Sequence, residues 1–245
     1  MRRLVPLLLL VAVAGCGGEP SGPRLTVAAA ASLKQPLTDY GDSFEGADVR
    51  LSFAGSDQLA AQIRAGARPD VYAAANTALP DALFAEGLVE RPVRFASNQL
   101  VVAVPAEGAR VKRFEDLGRN GVTIATGSSS VPVGSYTNQA LTRIPLRRRR
   151  PIVRNIRDRE PDVSGIVAKV AQGAVDAGFV YATDVKALGG KLRAVELPER
   201  LQPDIAYAAA VVRGTQHPDE ATRFLRDLVR GDGAHALKRA GFLAP

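Results

Sequence analysis

Apolar positions along the chain fall into two recurring patterns. One is a short run with few polar breaks. The other is a stretch whose apolar residues recur three and four apart. The run at 25–31, LTVAAAA, predicts a buried strand. Immediately after it, Leu33, Leu37, Tyr40 and Phe44 recur at helical spacing from Ser32 onward. Pro36 falls in the first turn of that helix, where a missing N–H costs least. Residues 49–56 predict a second strand with Leu51 and Phe53 on one face; it too stops at a serine and leads into a helix over 58–65, with Leu59 and Ile63 inward. A third strand over 69–76 precedes a helix over 80–86, and 98–105 predicts a fourth strand.

The alternation continues. RFEDLG opens a short helix, 121–127 predicts a strand, and 128–141 reads as a polar loop entering a helix. A solvated loop is expected over the basic run 144–150, IPLRRRR, and a short strand over 152–156. Val163, Ile166, Val167 and Val170 then mark an amphipathic helix over 162–172. A strand begins at 176 and ends at Tyr181, and 205–212 predicts a late strand. The last predicted element is a helix over 219–229, with Phe224, Leu225, Leu228 and Val229 inward. Strand and helix alternating in short periods imply an α/β protein with a largely parallel sheet. No internal repeat is visible.

The N-terminus breaks this pattern. Arg2 and Arg3 precede an apolar run at 4–14, too short to span a bilayer, which ends in VAGC at Cys16. Small residues before a cysteine resemble the bacterial lipoprotein signal, in which the leader (1–15) is removed and the cysteine carries the lipid. An ordinary secretory leader with a stray cysteine is the alternative. Cys16 is the only cysteine, so the chain has no internal disulfide and no cysteine-based metal or redox site. Residues 16–23 then read as lipidated cysteine and flexible tether, and the fold as starting near Arg24, outside the cytoplasmic membrane.

Composition changes little. The 245 residues, 46% hydrophobic and 23% charged, suit a soluble globular protein with one domain or two small ones. The formal charge of +7 suits anionic partners, but arginine standing in for lysine in a GC-rich genome would give the same excess.

Chemistry enters at the two strand-to-helix serines. A helix N-terminus carries unpaired N–H groups and about half a positive charge. A serine there adds a hydroxyl, and small residues before it let an object approach the backbone. Together these bind anions without a basic side chain. Serine is also a common helix cap, so Ser32 and Ser56 stay open to that plainer reading. Other chemistries lack their motifs. There is no phosphate-binding G-x-x-x-x-G-K-[ST], no glycine-rich dinucleotide turn and no G-x-S-x-G elbow. The two histidines, His217 and His235, lie late in the chain, away from either serine motif.

Several longer segments carry a family resemblance: VAAAASL, SFAGSDQLAAQIRAGARPDVYAAAN, NQLVVAVP, VPVGSYTNQAL, DVSGIVAKVAQGAVDAGFVYATDV and AHALKRAGF. In that order, along nearly the whole chain after the leader, they resemble the periplasmic molybdate-binding proteins, the substrate-binding lipoproteins of ABC-type molybdate/tungstate importers. The resemblance implies a two-lobed type II periplasmic-binding fold, each lobe a mixed, mostly parallel sheet flanked by helices. Lobe 1 would be 24–96 and 206–245, lobe 2 would be 97–205, and two crossing strands near Asn98 and Ala206 would form the hinge. It implies capture of molybdate or tungstate and delivery to a membrane permease, by a lipid-anchored extracytoplasmic monomer with no catalysis and no cofactor of its own. No nucleic acid is implied. The protein itself would ligate no metal, since the metal sits inside the oxyanion.

Carried onto this sequence, the family's neutral donors are the hydroxyls of Ser32, Ser56 and Tyr181 and the backbone N–H groups of Val133 and Val163. Val163 and Tyr181 are 18 residues apart, as the family pattern requires. An all-donor site would reject a protonated phosphate, whose proton needs an acceptor. Three positions depart from the family. Val133 stands where a smaller residue is common, and a backbone donor tolerates it. Asp57 stands where a further hydroxyl is frequent: inward it would repel a dianion or accept a proton from phosphate, and outward it is an ordinary first-turn acid. The third departure is the arginine run, for which a solvated loop, long-range attraction of anions and contact with an anionic membrane surface are the options. Another tetrahedral anion, sulfate or phosphate, and a secreted serine hydrolase acting through Ser32 or Ser56 are the rival readings.

Overall fold

A computed structural model describes residues 22–245; the leader, Cys16 and the tether up to residue 21 lie outside the described residues. The strands form two five-stranded sheets. The first contains β1 (Arg24–Ala30), β2 (Asp48–Ala54), β3 (Val71–Ala74), β4 (Val93–Asn98) and β10 (Ile205–Val211), in the order β2-β1-β3-β10-β4. The second contains β5 (Leu100–Pro105), β6 (Ile124–Gly127), β7 (Ile156–Glu160), β8 (Ala177–Tyr181) and β9 (Leu192–Glu196), in the order β7-β6-β8-β5-β9. The two orders are the same topology. In each, the first three strands pair in parallel through helical crossovers.

Both sheets are mixed, as the family resemblance implies. Four strands in each run one way, and the fifth runs against both neighbours: β10 in the first sheet, β5 in the second. These reversed strands are the ones delivered by the chain as it passes between lobes. β4 ends at Asn98 and β5 starts at Leu100; the chain returns between β9 and β10, where Ile205 pairs with Asn98. The Gln202 amide ties the two crossings together. Its Nε2 donates to the Leu100 carbonyl at 2.9 Å and its Oε1 accepts from the Leu100 N–H at 3.2 Å.

The helices are α1 (Lys34–Ser43), α2 (Ser56–Arg64), α3 (Ala78–Ala85), α4 (Pro132–Thr142), α5 (Leu146–Asn155), α6 (Val163–Ala171), α7 (Ala182–Ala187), α8 (Pro218–Arg230) and α9 (Asp232–Ala240). Apolar spacing explains how they pack. α8 buries Ala221, Phe224, Leu225 and Leu228, and Phe224 stacks on Tyr40 of α1 with ring centroids 4.6 Å apart. The buried Tyr40 hydroxyl is satisfied by donating to the Phe224 carbonyl.

Three expectations need correction, and two strands lie where none was expected. The run 144–150 is not a loop: most of it lies in α5, which continues through 152–155, where a strand was expected. Inward anchoring by Ile152 and Asn155 outweighs the local objections of repelling arginines and an internal Pro151. The 219–229 helix is not the last element, because α9 follows, burying only the modest Gly233, Ala236 and Leu237. β9 gives a weak signal, an LRAVE segment at a sheet edge. β4 was missed because its first residues, Val93 and Arg94, are exposed.

Candidate functional site

The carboxyl ends of β1, β2 and β3 in one lobe face those of β6 and β8 in the other, where open α/β sheets place ligands. Between them lies one small cavity whose lining includes Ser32, Ser56, Val133, Val163 and Tyr181. All five residues picked out in the sequence therefore meet, although they span 150 positions of the chain. About 20 Å³ of the cavity is open to the centre of a water molecule. With a water radius added all round, that is a sphere of about 3 Å radius, enough for one compact polyatomic ion but not for a sugar or peptide.

Neither serine caps its helix. Gly55 is the N-cap of α2 and Ala30 precedes the 3₁₀ turn Ala31–Leu33; neither helix start has a side-chain cap. The buried Ser56 hydroxyl instead accepts the Ala75 N–H at 3.1 Å, which leaves its own proton free to donate elsewhere. The Ser56 carbonyl accepts the Tyr72 hydroxyl at 2.7 Å, pinning the turn. Ser32 Oγ shares a 3.0 Å hydrogen bond with Tyr207 Oη. Tyr207 was not picked out in the sequence. It sits inside the apolar strand β10, 175 residues from its partner, and no local pattern marks it. When Tyr207 donates, the Ser32 proton is released toward the cavity.

Lobe 2 contributes differently. Val133 is the second residue of α4, and Val163 is the first residue of α6. Both lie in first turns, whose N–H groups have no intrahelical acceptor. Neither finds a backbone acceptor among the described residues. Close packing positions the α4 turn: a Cβ at Gly134 would lie 1.9 Å from the Ser128 carbonyl oxygen, so only glycine lets the turn sit there. Tyr181, at the end of β8, is 1% exposed and lies beside Tyr207, and among the described residues its hydroxyl has no partner within hydrogen-bonding geometry. A buried hydroxyl left without a partner is costly. Burial, together with Tyr207, Tyr136 and Asp184 nearby, pushes this hydroxyl far above its ordinary value, so it stays a neutral donor.

Among the described residues, no lysine or arginine lines the cavity. Its one charged lining residue is Asp162, the N-cap of α6, whose Oδ1 accepts the Gly165 N–H at 3.1 Å. Asp184 stands behind Tyr181 and accepts its backbone N–H at 2.9 Å. Burial pushes the Asp184 carboxyl up to about 7; the Tyr181 N–H opposes the shift and Asp162 adds to it. Asp57 does not line the cavity. It is a first-turn acid of α2, half-buried, with Oδ1 enclosed and without a partner. It fits neither expected position fully, pointing neither into the cavity nor freely into solvent. The lobes touch beside it: a Cβ on Gly55 would lie 2.9 Å from that oxygen and 2.4 Å from the Pro161 carbonyl of the other lobe. Neither histidine lines the cavity, and His235 is largely exposed, so neither serine has an imidazole there to take its proton. Among the described residues, no group of three or more His, Cys, Asp or Glu could hold a metal ion.

Residues 25–243 match the model of the bacterial extracellular solute-binding proteins. The chain belongs to that family. Such solute-binding proteins work outside the cytoplasm and bind rather than transform their ligands. This one is 34% identical over 260 residues to the molybdate-binding protein ModA of Mycobacterium tuberculosis, an alignment spanning 99% of this chain and 97% of that one. Its fold superimposes with a TM-score of 0.80 on the periplasmic molybdate-binding protein of Azotobacter vinelandii, at 24% identity over 90% of this chain and 99% of that one. The sulfate-binding protein SubI of Mycobacterium tuberculosis matches equally well in fold, with a TM-score of 0.80 at 18% identity over 90% and 86% of the two chains. The solute-binding fold therefore does not choose the anion. That choice rests on the donors and the space they enclose.

Proposed function

We propose that this protein captures a molybdate or tungstate dianion outside the cytoplasmic membrane and presents it to the membrane permease of an ABC importer. The observation that carries this reading is the buried Tyr181 hydroxyl, without a hydrogen-bond partner among the described residues, on a residue that lines one cavity together with Ser56, whose hydroxyl proton is free to donate, and with the helix-start residues Val133 and Val163. Ser32, Ser56 and Tyr181 would donate through hydroxyls, and Val133 and Val163 through N–H groups. Hydrogen bonds to a charged group contribute about 1.5–3 kcal/mol each, so five fixed neutral donors can hold a dianion without a counter-charge. The five donors offer a protonated phosphate nothing that its donor-free rivals do not share, and the one carboxylate in the lining, Asp162, already accepts the Gly165 N–H through Oδ1. The full-length match to a molybdate-binding relative supports the choice of anion.

Ligand bound between the lobes would favour the closed arrangement, which the permease would recognise, with the crossings at Asn98–Leu100 and before Ile205 acting as hinge. In this reading lobe 1 is 24–96 with 206–245 and lobe 2 is 97–205. The protein is a monomer held to the membrane by a lipid on Cys16, and it uses no cofactor of its own. Titration calorimetry with molybdate, tungstate, sulfate and phosphate tests it. Tight binding of the first two and weak or absent binding of the others is expected. Absence of tight molybdate and tungstate binding would refute it.

A further inference from the structure

The helix α5 carries chemistry that the anion cavity does not use. Its inward face is Ile152 and Asn155, with Asn155 Nδ2 donating to the carbonyls of Leu117 and Arg119 at 2.7 and 2.8 Å. Its outward face holds Leu146, 49% exposed, and Val153, 42% exposed, seven residues apart and so on one side of the helix. Arg147, Arg150 and Arg154 flank them on that side. Among the described residues, none of the five arginines of α5 is in an ion pair, whereas Arg64 and Arg50 pair with Glu86 and Asp48. Like charges three and four positions apart oppose a helix. Arg157 and Arg159 are exposed on the edge strand β7, where charge blocks unwanted strand pairing. Of the α5 arginines only Arg154 has a partner among the described residues, donating from Nη2 to the Asn120 Oδ1 at 3.3 Å; Arg147 and Arg150 have none.

We propose that this face of α5 rests on an anionic lipid surface, the arginines on headgroup phosphates and Leu146 and Val153 at the boundary with the acyl chains. A face mixing cations with a few aliphatic side chains is that of an interfacial helix. An acidic protein could neutralise the arginines. Two aliphatic side chains, however, provide far less apolar area than the roughly 800 Å² per partner of a stable protein interface. Extracytoplasmic placement puts the outer face of the cytoplasmic membrane within reach. A face resting on lipid would also fix which way the cavity points relative to the membrane.

The test is co-sedimentation of the full chain with phosphatidylglycerol and with phosphatidylcholine vesicles, comparing the parent with an R147Q/R150Q/R154Q variant and an L146Q/V153Q variant. The leader contributes equally to all three proteins. Each arginine near an anionic surface is worth about fivefold in affinity, so the arginine variant should lose about a hundredfold on phosphatidylglycerol. It should lose little on phosphatidylcholine. The aliphatic variant should lose a smaller factor on phosphatidylglycerol. Unchanged calorimetric anion binding by both variants would show that they fold and would separate this proposal from the identity of the cavity's ligand. Equal binding of the parent to both lipids would overturn the proposal. So would phosphatidylglycerol binding that survives loss of the arginines, or vesicle binding left intact while association with a purified permease is lost.

Discussion

Thr26 and Asp70 in the first lobe make the same clasp as Thr123 and Asp176 in the second. In each, the aspartate Oδ2 accepts both the threonine N–H and its hydroxyl, at 2.6 and 2.7 Å in one lobe and 2.8 and 2.9 Å in the other. Each aspartate N–H donates back to the threonine Oγ1. The lobes thus repeat not only strand order but a detail of how the first and third strands begin. At the opposite, carboxyl ends of those strands they diverge. Lobe 1 brings side-chain hydroxyls, Ser32 and Ser56. Lobe 2 brings two backbone amides, Val133 and Val163, and one phenol, Tyr181. The shared scaffold supplies helix starts on both sides, and the donor type is then a local choice. One wall of the cavity should therefore be sensitive to ordinary side-chain substitution, and the other mainly to changes in the backbone.

The largest effect is expected on the hydroxyl wall. In the proposed site Ser56→Ala would remove a donor to the anion, and it strands the buried Ala75 N–H. Loss of a charge-assisted hydrogen bond together with an unpaired buried donor should weaken molybdate binding by about a hundredfold or more, as read by calorimetry. On the amide wall, Val163→Ala should change affinity less than about threefold, because the N–H remains. Val163→Pro deletes that N–H at the first helical position, where proline is well tolerated, and the preceding Asp162 already has extended backbone, φ −156° and ψ 173°. A loss of about tenfold or more with little change in melting temperature is expected. Equal effects of the alanine and proline variants would contradict a backbone donor.

Tyr181→Phe should separate binding from stability. In the proposed site it would remove a donor to the anion and weaken affinity by about tenfold. In the ligand-free protein it removes a buried hydroxyl without a partner, so the melting temperature should rise. A fall in both would mean that the hydroxyl has another partner in the free protein.

The smallest effect concerns pH. The Asp184 carboxyl, pushed up to about 7 by burial, stands above the usual unfolded value of about 4. Between those values the folded state holds a proton that the unfolded state has released, so stability falls as pH rises across that window. The same ionisation places a negative charge behind Tyr181, so anion affinity should weaken severalfold from pH 6 to pH 8. In Asp184→Asn, which still accepts the Tyr181 N–H, both slopes should flatten.

Much of this arrangement was legible in the sequence, and the rest has physical reasons for being hidden. The strand–serine–helix junctions at Ser32 and Ser56 showed in local pattern, because small residues, a hydroxyl and a change of period coincide there. Val133 and Val163 carry no side-chain signal, since a backbone donor leaves the residue type almost free; only the family resemblance pointed to them. Tyr207 was hidden by long range, as its hydroxyl meets Ser32 across the sheet. The plain-cap reading of the serines also needed coordinates to decide, since a capping hydroxyl and a ligand-facing one share the same sequence. The α5 helix was misread because charge repulsion and proline argue locally for a loop, while its anchor, Asn155 against the carbonyls of Leu117 and Arg119, lies more than 30 residues away.

The most direct measurement is anomalous diffraction from crystals grown with molybdate. Expected is a single molybdenum peak between the lobes, with oxygens within hydrogen-bonding distance of Ser32 Oγ, Ser56 Oγ, Tyr181 Oη and the amide nitrogens of Val133 and Val163, and with no lysine or arginine in contact. A peak elsewhere, or an anion held there by a basic side chain, would contradict the five-donor site.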